Sequence, residues 1–388
     1  MVIRKTILII ICLIIPLSTS AVTIESLAQK IEELRAQLEQ LKNLIDILYG
    51  PIEEGELLSN EDLRQVISLG VDWFKNAQEG NGHFKYEYLP YEDIYLEDDN
   101  IVRQAGSLFV LGEILIRDTN NVYELEDNIK KSISYFENES VIGEHNGIEF
   151  QCITNGYKCK LGATSLTLVG ILDLIECDPA LENIYKPVIE DYINYILAMN
   201  IEDKGFRTHF YPSRETQSDK ESSYATGEAL LALVRYYKYH PTQDIKEIID
   251  QTFEYISNEL DFDVALYLWA TAAIKDMHQI WPRDEYVDYI DEYTQWRVEG
   301  FKNRKNTNHN MCAYLEGVVS AYSLIEQHGE EIDYWLAKNS QLQITQGNKK
   351  AIGGFLTGKK ELTQRIDFTQ HCISSYLQKL VDIDNLDL

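Results

Sequence analysis

Acidic, basic and amide side chains cluster where apolar segments of the chain begin. Asp99, Arg103 and Gln104 stand at the start of an apolar stretch that runs to residue 115. Carboxylate, guanidinium and amide groups of this kind can bind hydroxyls, and carboxylates can also transfer protons. Similar groups stand at or near the starts of other apolar segments. They are Glu221, Tyr224, Glu228, Asp261, Asp263, His309, Asn310, Tyr314, Glu316, Arg365, Asp367, Gln370 and His371. If the segment starts meet in the fold, they form one polar site.

Four of these carboxylates suit the two roles in glycoside hydrolysis, a protonated acid and an ionised base or nucleophile. Glu228 and Glu316 lie inside apolar segments, where burial raises a carboxyl pKa, so they are candidates for the acid. Asp99 and Asp367 lie at segment starts, where a helix dipole favours the anion, so they are candidates for the base. The alternative interpretation makes the aspartates helix N-caps and gives the glutamates buried structural hydrogen bonds.

Aromatic rings and hydrogen-bonding groups near these carboxylates would bind a glycan or oligosaccharide. Rings can stack on sugar faces, and cationic or imidazole groups can hold hydroxyls or a uronate. The predicted substrate-binding residues are Phe84, Tyr86, Tyr88, Arg103, Gln104, His309, Tyr314, Phe355, Arg365, Gln370 and His371. The sequence contains no HExxH, paired CxxC, GxSxG or P-loop motif, so we predict no metal and no cofactor.

The cysteines of the chain predict one disulfide. Cys152 and Cys159 flank Asn155-Gly156, a dipeptide that favours a tight turn. A disulfide across such a turn is expected if the protein is exported to an oxidising compartment. The cysteines that we expect to be buried in helices are Cys177, Cys312 and Cys372.

Amphipathic and almost wholly apolar helical segments alternate from residue 59 onward. The segment after Ser59 places its apolar residues on one face, which is typical of a helix that covers a core. The next helical segment, residues 101–115, is apolar on nearly every side and indicates a helix that is buried all round. Six such pairs follow one another at intervals of about forty to sixty residues, a period typical of repeat architectures.

This alternation predicts an all-α protein with the architecture of an (α/α)6 toroid. In such a toroid, six helical hairpins place their buried helices in an inner ring, and the amphipathic helices cover it. An open α-solenoid of helix pairs is the alternative. We favour the closed ring because long Gly-aromatic loops, such as the one at Gly353-Gly354-Phe355, precede the buried helices. The starts of the inner helices would then line one mouth of the ring.

Three stretches resemble the six-hairpin glycosidase-like proteins, and the resemblance covers about residues 60–382. The stretches are Gly82-x-Phe84-x-Tyr86-x-Tyr88 with Asp99-Asn100-Ile101-Val102-Arg103-Gln104-Ala105-Gly106, Tyr314-Leu315-Glu316-Gly317, and Gly353-Gly354-Phe355 with Arg365-Ile366-Asp367-Phe368-Thr369-Gln370-His371. The resemblance implies the (α/α)6 toroid. The wider superfamily includes glycoside hydrolases, polysaccharide lyases and sugar epimerases, so the fold alone does not name the reaction.

The chain before residue 59 is predicted to contain three segments. Residues 1–21 combine a basic start, an apolar centre and small residues, which predicts a signal peptide, with an uncleaved anchor as the alternative. Residues 22–49 predict a coiled-coil helix that forms a homodimer or packs on its own domain. Residues 50–58 read as a linker, and the toroid domain would span residues 59–388. The a/d seam of the coiled coil consists of Ile24, Leu27, Ile31, Leu34, Leu38, Leu41, Ile45 and Leu48.

The charge balance excludes some classes of partner. A formal net charge of −28 and a pI near 4.6 disfavour nucleic acids and anionic membrane surfaces. We expect an exported protein, extracellular, periplasmic or on the cell surface, with no membrane span in the mature chain. The leading hypothesis is a glycosidase-like hydrolase that uses a carboxylate pair. The alternatives are a non-catalytic envelope scaffold and a lyase or epimerase that transfers protons through His371 or Tyr314.

Overall fold

The structure is a computed structural model that describes residues 28, 30–32, 35 and 57–384, except residues 119, 303–309 and 358–361. Of residues 381–384 it describes the backbone alone. The chain divides into two compact units, Met1–Pro51 and Ile52–Leu388. The described residues of the first unit are helical and exposed. The predicted signal peptide and most of the coiled-coil seam lie outside the described residues, so both stay predictions.

Twelve α-helices form six hairpins in the described part of the second unit. The outer helices are α1 (Asn60–Ala77), α3 (Glu126–Asn138), α5 (Glu182–Ala198), α7 (Gln243–Asn258), α9 (Asp284–Lys302) and α11 (Gly329–Ser340). The inner helices are α2 (Ile101–Arg117), α4 (Leu161–Cys177), α6 (Ser223–Tyr239), α8 (Val264–Ile280), α10 (Met311–Ile325) and α12 (Ile366–Asp384). This architecture confirms the predicted all-α class and the (α/α)6 toroid.

The inner helices form a closed ring. Each one packs against the next inner helix along the chain, and α12 packs against α2. The outer helices cover this ring; for example, α3 contacts α2 and α4, and α1 contacts α12. Helix α4 is buried at every residue from Leu161 to Ile175 because neighbours surround it. Helix α1 instead buries one apolar face, and a capping box between Ser59 and Asp62 fixes its start.

Short strands lie in the loops that lead from outer to inner helices. Strand β1 (Glu87–Leu89) pairs antiparallel with β2 (Ile94–Tyr95) and with β8 (Gln364–Arg365), which joins the first hairpin to the last. Strands β5 (Cys159–Lys160), β6 (His209–Tyr211) and β7 (Thr216–Gln217) form a second antiparallel sheet. These sheets lie where α2, α4, α6 and α12 begin, so they set the shape of one mouth.

A β-hairpin of β3 (Ser140–His145) and β4 (Ile148–Ile153) is absent from the sequence-based prediction. The pairing of His145 with Ile148 leaves the two-residue turn Asn146-Gly147, whose φ angles are 52° and 80°. Such a turn requires positive φ at both positions, and Asn-Gly is the dipeptide that adopts it most readily. The signal for this hairpin was therefore present in the sequence.

A hydrogen bond between a loop N–H and the fourth residue of an inner helix recurs in four hairpins. The bond anchors the loop beneath the start of that helix. In three of the hairpins the donor is a phenylalanine, whose ring is thereby placed in the core. The donor and acceptor pairs are Phe84–Gln104 (2.9 Å), Ile153–Thr164 (3.1 Å), Phe206–Thr226 (3.2 Å) and Phe355–Thr369 (3.1 Å).

Two aromatic side chains meet inside the ring. Phe109 comes from α2 and Trp269 from α8, which stand opposite each other in the ring of six, and their ring centroids are 5.6 Å apart in an edge-to-face contact. We call the opening formed by the inner-helix N-termini the N-terminal mouth, and the opening at the opposite end the C-terminal mouth. The contact between Phe109 and Trp269 lies between the two mouths.

A partly buried arginine ties four inner helices together on the C-terminal side of this contact. Arg235 of α6 bonds Glu113 of α2 through Nη2 at 2.8 Å, Asp173 of α4 through Nη1 at 3.1 Å, and Asp276 of α8 through Nε at 2.9 Å. Burial raises the pKa of Asp173 to about 7 against the pull of Arg235. Burial also disfavours the anions of Glu113 and Asp276, but the surrounding cations hold the pKa of both below its ordinary value.

Replacing Arg235 with methionine is expected to lower the free energy of unfolding by about 3–5 kcal/mol, because the change removes the cation that pairs with three buried carboxyls. Urea unfolding measures this as a lower midpoint at unchanged slope. Lys186→Met is the control, since Lys186 pairs with Glu190 at an exposed site and a loss of less than about 0.5 kcal/mol is expected. A loss below about 1 kcal/mol for Arg235→Met would contradict the central role of this arginine.

Candidate functional site

Two arginines hold Asp367 at the start of α12. Arg365 binds both oxygens of this carboxylate, through Nε at 3.0 Å and Nη2 at 2.8 Å, and Arg103 of α2 approaches it through Nε at 3.1 Å. Arg103 also donates to the hydroxyl of Tyr86, and both guanidinium groups lie 5.9 Å from the centre of the Tyr86 ring. These four residues thus lie together at the N-terminal mouth, but the Asp367 carboxylate is already bound from two sides.

Asp99 belongs to a separate polar group that fixes the loop before α2. Its Oδ1 accepts from Gln104 Nε2 at 2.8 Å, and its Oδ2 lies 3.4 Å from His83 Nε2. Burial disfavours the anion, but the hydrogen bonds from His83 and Gln104 hold the Asp99 pKa below its ordinary value. The residue that caps α2 is Asn100, whose side chain accepts from Val102 N–H. Asp99 is thus neither the cap nor an unoccupied base.

Glu316 and His371 form a hydrogen-bonded pair across α10 and α12. Glu316 Oε2 and His371 Nδ1 are 2.6 Å apart, and Gln370 Nε2 lies 3.2 Å from the same nitrogen. Burial raises the pKa of Glu316 above its ordinary value, although His371 pulls it down. His371 Nε2 has no hydrogen-bond partner among the described residues. With Glu316 ionised, Nδ1 donates the hydrogen bond and Nε2 keeps a lone pair that can accept a proton.

Glu228 is a buried carboxyl with no hydrogen bond or ion pair to any described residue. It lies in α6 with 6% of its surface exposed, and burial raises its pKa to about 8. The neighbouring inner helix provides space for it, because a Cβ at Gly162 would stand 1.9 Å from Glu228 Oε2. A carboxyl of this kind keeps its proton at neutral pH and can donate it, as a general acid must.

Glu228, Trp269, Glu316 and His371 lie at the same level of the ring. Each is the sixth residue of its inner helix, in α6, α8, α10 and α12 respectively. The rings of Trp269 and His371 are 6.2 Å apart, so His371 lies beside the aromatic contact that closes the N-terminal mouth. Because α6 and α12 are three places apart in a ring of six, Glu228 and His371 belong to opposite walls.

The hydroxyl of Tyr224 lies near charged side chains from several inner-helix starts, and these charges influence its pKa. Burial is the main cause of its raised pKa; the charges of Asp263 and Glu228 raise it further, whereas Arg103 and Arg297 lower it. These residues come from α2, α6 and α9 and from the loop before α8. The hydroxyl of Tyr224 therefore shares its electrostatic environment with charges from three helices and one loop. Asp263 itself caps α8 by accepting from Ala265 N–H.

Several residues predicted to bind substrate belong to the core instead. Their buried surfaces leave no face for a sugar, so the prediction is wrong for them in this structure. For Phe84 and Phe355 the cause is the anchoring bond beneath the inner helix, which holds each ring in the core. The residues, with their exposed fractions, are Phe84 (1%), Tyr88 (0%), Gln104 (0%), Tyr314 (1%) and Phe355 (0%). Gln370 is also buried and contacts His371, whereas His309 lies outside the described residues.

A polar cavity lies at the C-terminal mouth, and the sequence reasoning did not find it. Its volume is about 610 Å³. The last turns of α2, α4, α6, α8 and α10 line it, including Glu113, Asp173, Arg235, Lys275 and Asp276. The signal in the sequence was a charged residue near the end of each apolar segment. Most of these charges already pair with one another.

The described residues contain two disulfides, and one of them was not predicted. Cys152 joins Cys159 with 5.6 Å between their Cα atoms, across the turn that contains Asn155-Gly156. Cys312 of α10 joins Cys372 of α12 with 4.6 Å between their Cα atoms. Cys177 carries a free thiol and is exposed, so the expectation that it is buried is wrong.

The described residues contain no cluster of three or more histidine, cysteine or acidic side chains that could hold a metal ion. Within the same residues, no helix is both long and apolar enough to cross a membrane.

Comparison with known proteins relates the chain through its fold. No protein-family model matches the sequence, and no curated protein matches it. D-mannose isomerase matches at a TM-score of 0.62 and 10% identity, over 84% of this chain and 100% of that one. A GH76 alpha-mannanase from Bacteroides thetaiotaomicron matches at 0.59 and 11%, over 85% and 98%. A sugar epimerase from a ruminal bacterium matches at 0.59 and 12%, over 82% and 98%.

These similarities concern the fold, since the identities are only 10–12%. The chain has the (α/α)6 toroid fold of the six-hairpin glycosidase-like proteins, which confirms the resemblance seen in the sequence.

The free energy of unfolding of the wild-type protein is expected to decline as pH rises, and Glu228→Gln is expected to remove this decline. Burial raises the Glu228 pKa from 4.5 to about 8, so between these values the folded protein holds a proton that the unfolded chain releases. The protonated Glu228 carboxyl therefore contributes fully to the free energy of unfolding below about pH 4.5, and this contribution is lost as pH rises through about 8. At about pH 9 the variant should be more stable than wild type by roughly 2–4 kcal/mol, with little difference near pH 4. Urea unfolding across this range measures it, and parallel pH curves would contradict the assigned pKa.

Gly162→Ala is expected to displace the Glu228 carboxyl, because the new Cβ would occupy its position. The strain should lower the free energy of unfolding by about 1–3 kcal/mol. Gly80→Ala is the matched control, since a Cβ there meets no atom within 4 Å. Equal stability of the two variants in thermal unfolding would show that Glu228 does not pack on Gly162.

Proposed function

We propose that this protein is a carbohydrate-active enzyme that transfers protons on a sugar at the N-terminal mouth, as a sugar isomerase or epimerase does. The observation that carries the proposal is the 2.6 Å hydrogen bond between Glu316 and His371, at the level of the protonated Glu228. A carboxylate that orients an imidazole, opposite a carboxylic acid, provides a base and an acid in one site. The similarity in fold to D-mannose isomerase, a sugar epimerase and an alpha-mannanase supports a carbohydrate substrate.

In the proposed reaction, His371 Nε2 removes the proton from the carbon next to the carbonyl of an open-chain sugar. The electrons of the broken C–H bond form a carbon–carbon double bond, and the carbonyl oxygen takes the proton of Glu228 to give an enediol. If His371 then returns the proton to the former carbonyl carbon and the hydroxyl on the other enediol carbon gives its proton to Glu228, an isomer forms. If the enediol turns so that His371 returns the proton to the opposite face of the original carbon, and the former carbonyl oxygen gives its proton back to Glu228, an epimer forms. Glu316 stabilises the imidazolium formed in the first step.

Glycoside hydrolysis is the second candidate, and the raised pKa of Glu228 favours it specifically, because a general acid of that kind is required. Hydrolysis also needs an ionised partner carboxylate. The other three predicted catalytic carboxylates are engaged, Asp99 by His83 and Gln104, Glu316 by His371, and Asp367 by two arginines. For this reason we rank proton transfer ahead of hydrolysis.

We also propose that the protein is exported. Disulfides persist in oxidising compartments, and two are present here, Cys152–Cys159 and Cys312–Cys372. The N-terminal pattern of residues 1–21 supports the same conclusion. Dimerisation through residues 24–48 stays a prediction.

Glu228→Gln and His371→Gln are each expected to lower kcat by at least about 100-fold, because each removes a proton-transfer group. Incubation with D-mannose in D2O tests this through deuterium incorporation at the carbon next to the carbonyl. The rate for wild type should fall as pH rises through about 8, when Glu228 loses its proton, and the Gln variant should lack this limb. Glu176→Gln, at the C-terminal mouth, is the control and should keep full activity.

The same assay separates the candidates. Release of reducing ends from an alpha-mannan oligosaccharide without deuterium incorporation would favour hydrolysis. Binding without either reaction would favour the non-catalytic scaffold and overturn the proposed enzyme.

A further inference from the structure

The disulfide between Cys312 and Cys372 lies directly beside the Glu316–His371 pair. On α10, Cys312 precedes Glu316 by four residues, so the two side chains share one face of the helix about 6 Å apart along its axis. On α12, Cys372 follows His371 immediately. Helices α10 and α12 are therefore joined twice within about one helical turn, once by a covalent bond and once by the 2.6 Å hydrogen bond.

A serine reinforces the same junction. Ser375, one turn after His371 on α12, donates its hydroxyl to the carbonyl of His371 at 2.8 Å, and the carbonyl of Cys312 lies 3.3 Å from that oxygen. Cys312, Glu316 and Cys372 are all at most 2% exposed. The disulfide thus lies in a buried part of the inner ring.

The remaining disulfide, Cys152–Cys159, has a different place in the fold. It closes the end of the β3–β4 hairpin onto β5, before the start of α4. It joins no residue of α10 or α12. It provides a matched comparison, since it is also a buried cystine but is remote in the chain from the Glu316–His371 pair.

We propose that the Cys312–Cys372 disulfide is a positioning element for the Glu316–His371 pair, and that it fixes the distance at which Glu316 orients the imidazole. The expected effect of the disulfide on turnover rests on the proposed function. Its effect on the Glu316–His371 distance does not depend on turnover. A hydrogen bond of 2.6 Å tolerates little displacement, and a shift of about 1 Å in a catalytic group can cost about 100-fold in rate.

The test compares Cys312→Ala/Cys372→Ala with Cys152→Ala/Cys159→Ala. The first double variant should lose kcat by about 10- to 100-fold with little change in KM, because substrate contacts remain while the base is misplaced. The second should keep kcat within about twofold. Equal losses of kcat in both variants, or full activity in the first, would overturn the proposal.

A spectroscopic measurement separates positioning from general stability. In wild type, histidine labelled with ¹⁵N should show a far-downfield Nδ1 proton that Glu316→Gln shifts upfield, which assigns it to the pair. This resonance should be lost in Cys312→Ala/Cys372→Ala and kept in Cys152→Ala/Cys159→Ala. Its persistence in the first variant would overturn the proposal, even if that variant is less stable.

Two further controls keep the outcome clear. If Cys312→Ala/Cys372→Ala does not fold, Cys312→Val/Cys372→Ala restores buried volume and is measured in its place. If wild type turns over no sugar, the proposed function fails, while the resonance still decides whether the disulfide positions His371.

Discussion

The structure depends on how closely the six inner helices approach one another. At several inner interfaces a glycine on one helix faces a large side chain of its neighbour. Gly112 faces Asp173, Gly162 faces Glu228, and Gly317 faces Tyr267, and a Cβ at each glycine would stand less than 3 Å from the facing side chain. Close approach places carboxyl groups between helices, where water has little access. Those groups then need a cation, a hydrogen bond or a proton.

The two mouths of the ring meet this requirement in different ways. At the C-terminal mouth, Arg235 pairs with carboxylates from three other inner helices, and such cations suit the negative end of the helix dipoles. At the N-terminal mouth, Asp367 and Asp263 lie at helix starts, where anions are favoured. Glu228 differs from both sets because no described cation or hydrogen-bond donor pairs with it, and it keeps its proton instead. That difference makes Glu228 the acid of the proposed reaction.

The four carboxylates predicted as a catalytic set have separate tasks. Asp367 orders two arginines and Asp99 fixes a loop, whereas Glu316 orients His371. A pair of carboxylates of similar kind would have suited hydrolysis. The observed division of tasks favours a reaction in which a histidine acts as the base and a carboxylic acid donates the proton. The fold is compatible with both reactions, so the side-chain partners, rather than the architecture, decide between them.

The sequence by itself determined the architecture. Alternating amphipathic and apolar helices specify which face of each helix must be buried, and six such pairs have few ways to bury them. It also placed Arg103, Glu228, Glu316, Asp367 and His371 at helix starts, because spacing along a helix is local. Only the tertiary structure decided which of them are partners. Hydrogen bonds such as Glu316–His371, and the burial of Phe84 and Phe355, depend on distances between segments far apart in the chain, which local patterns do not encode.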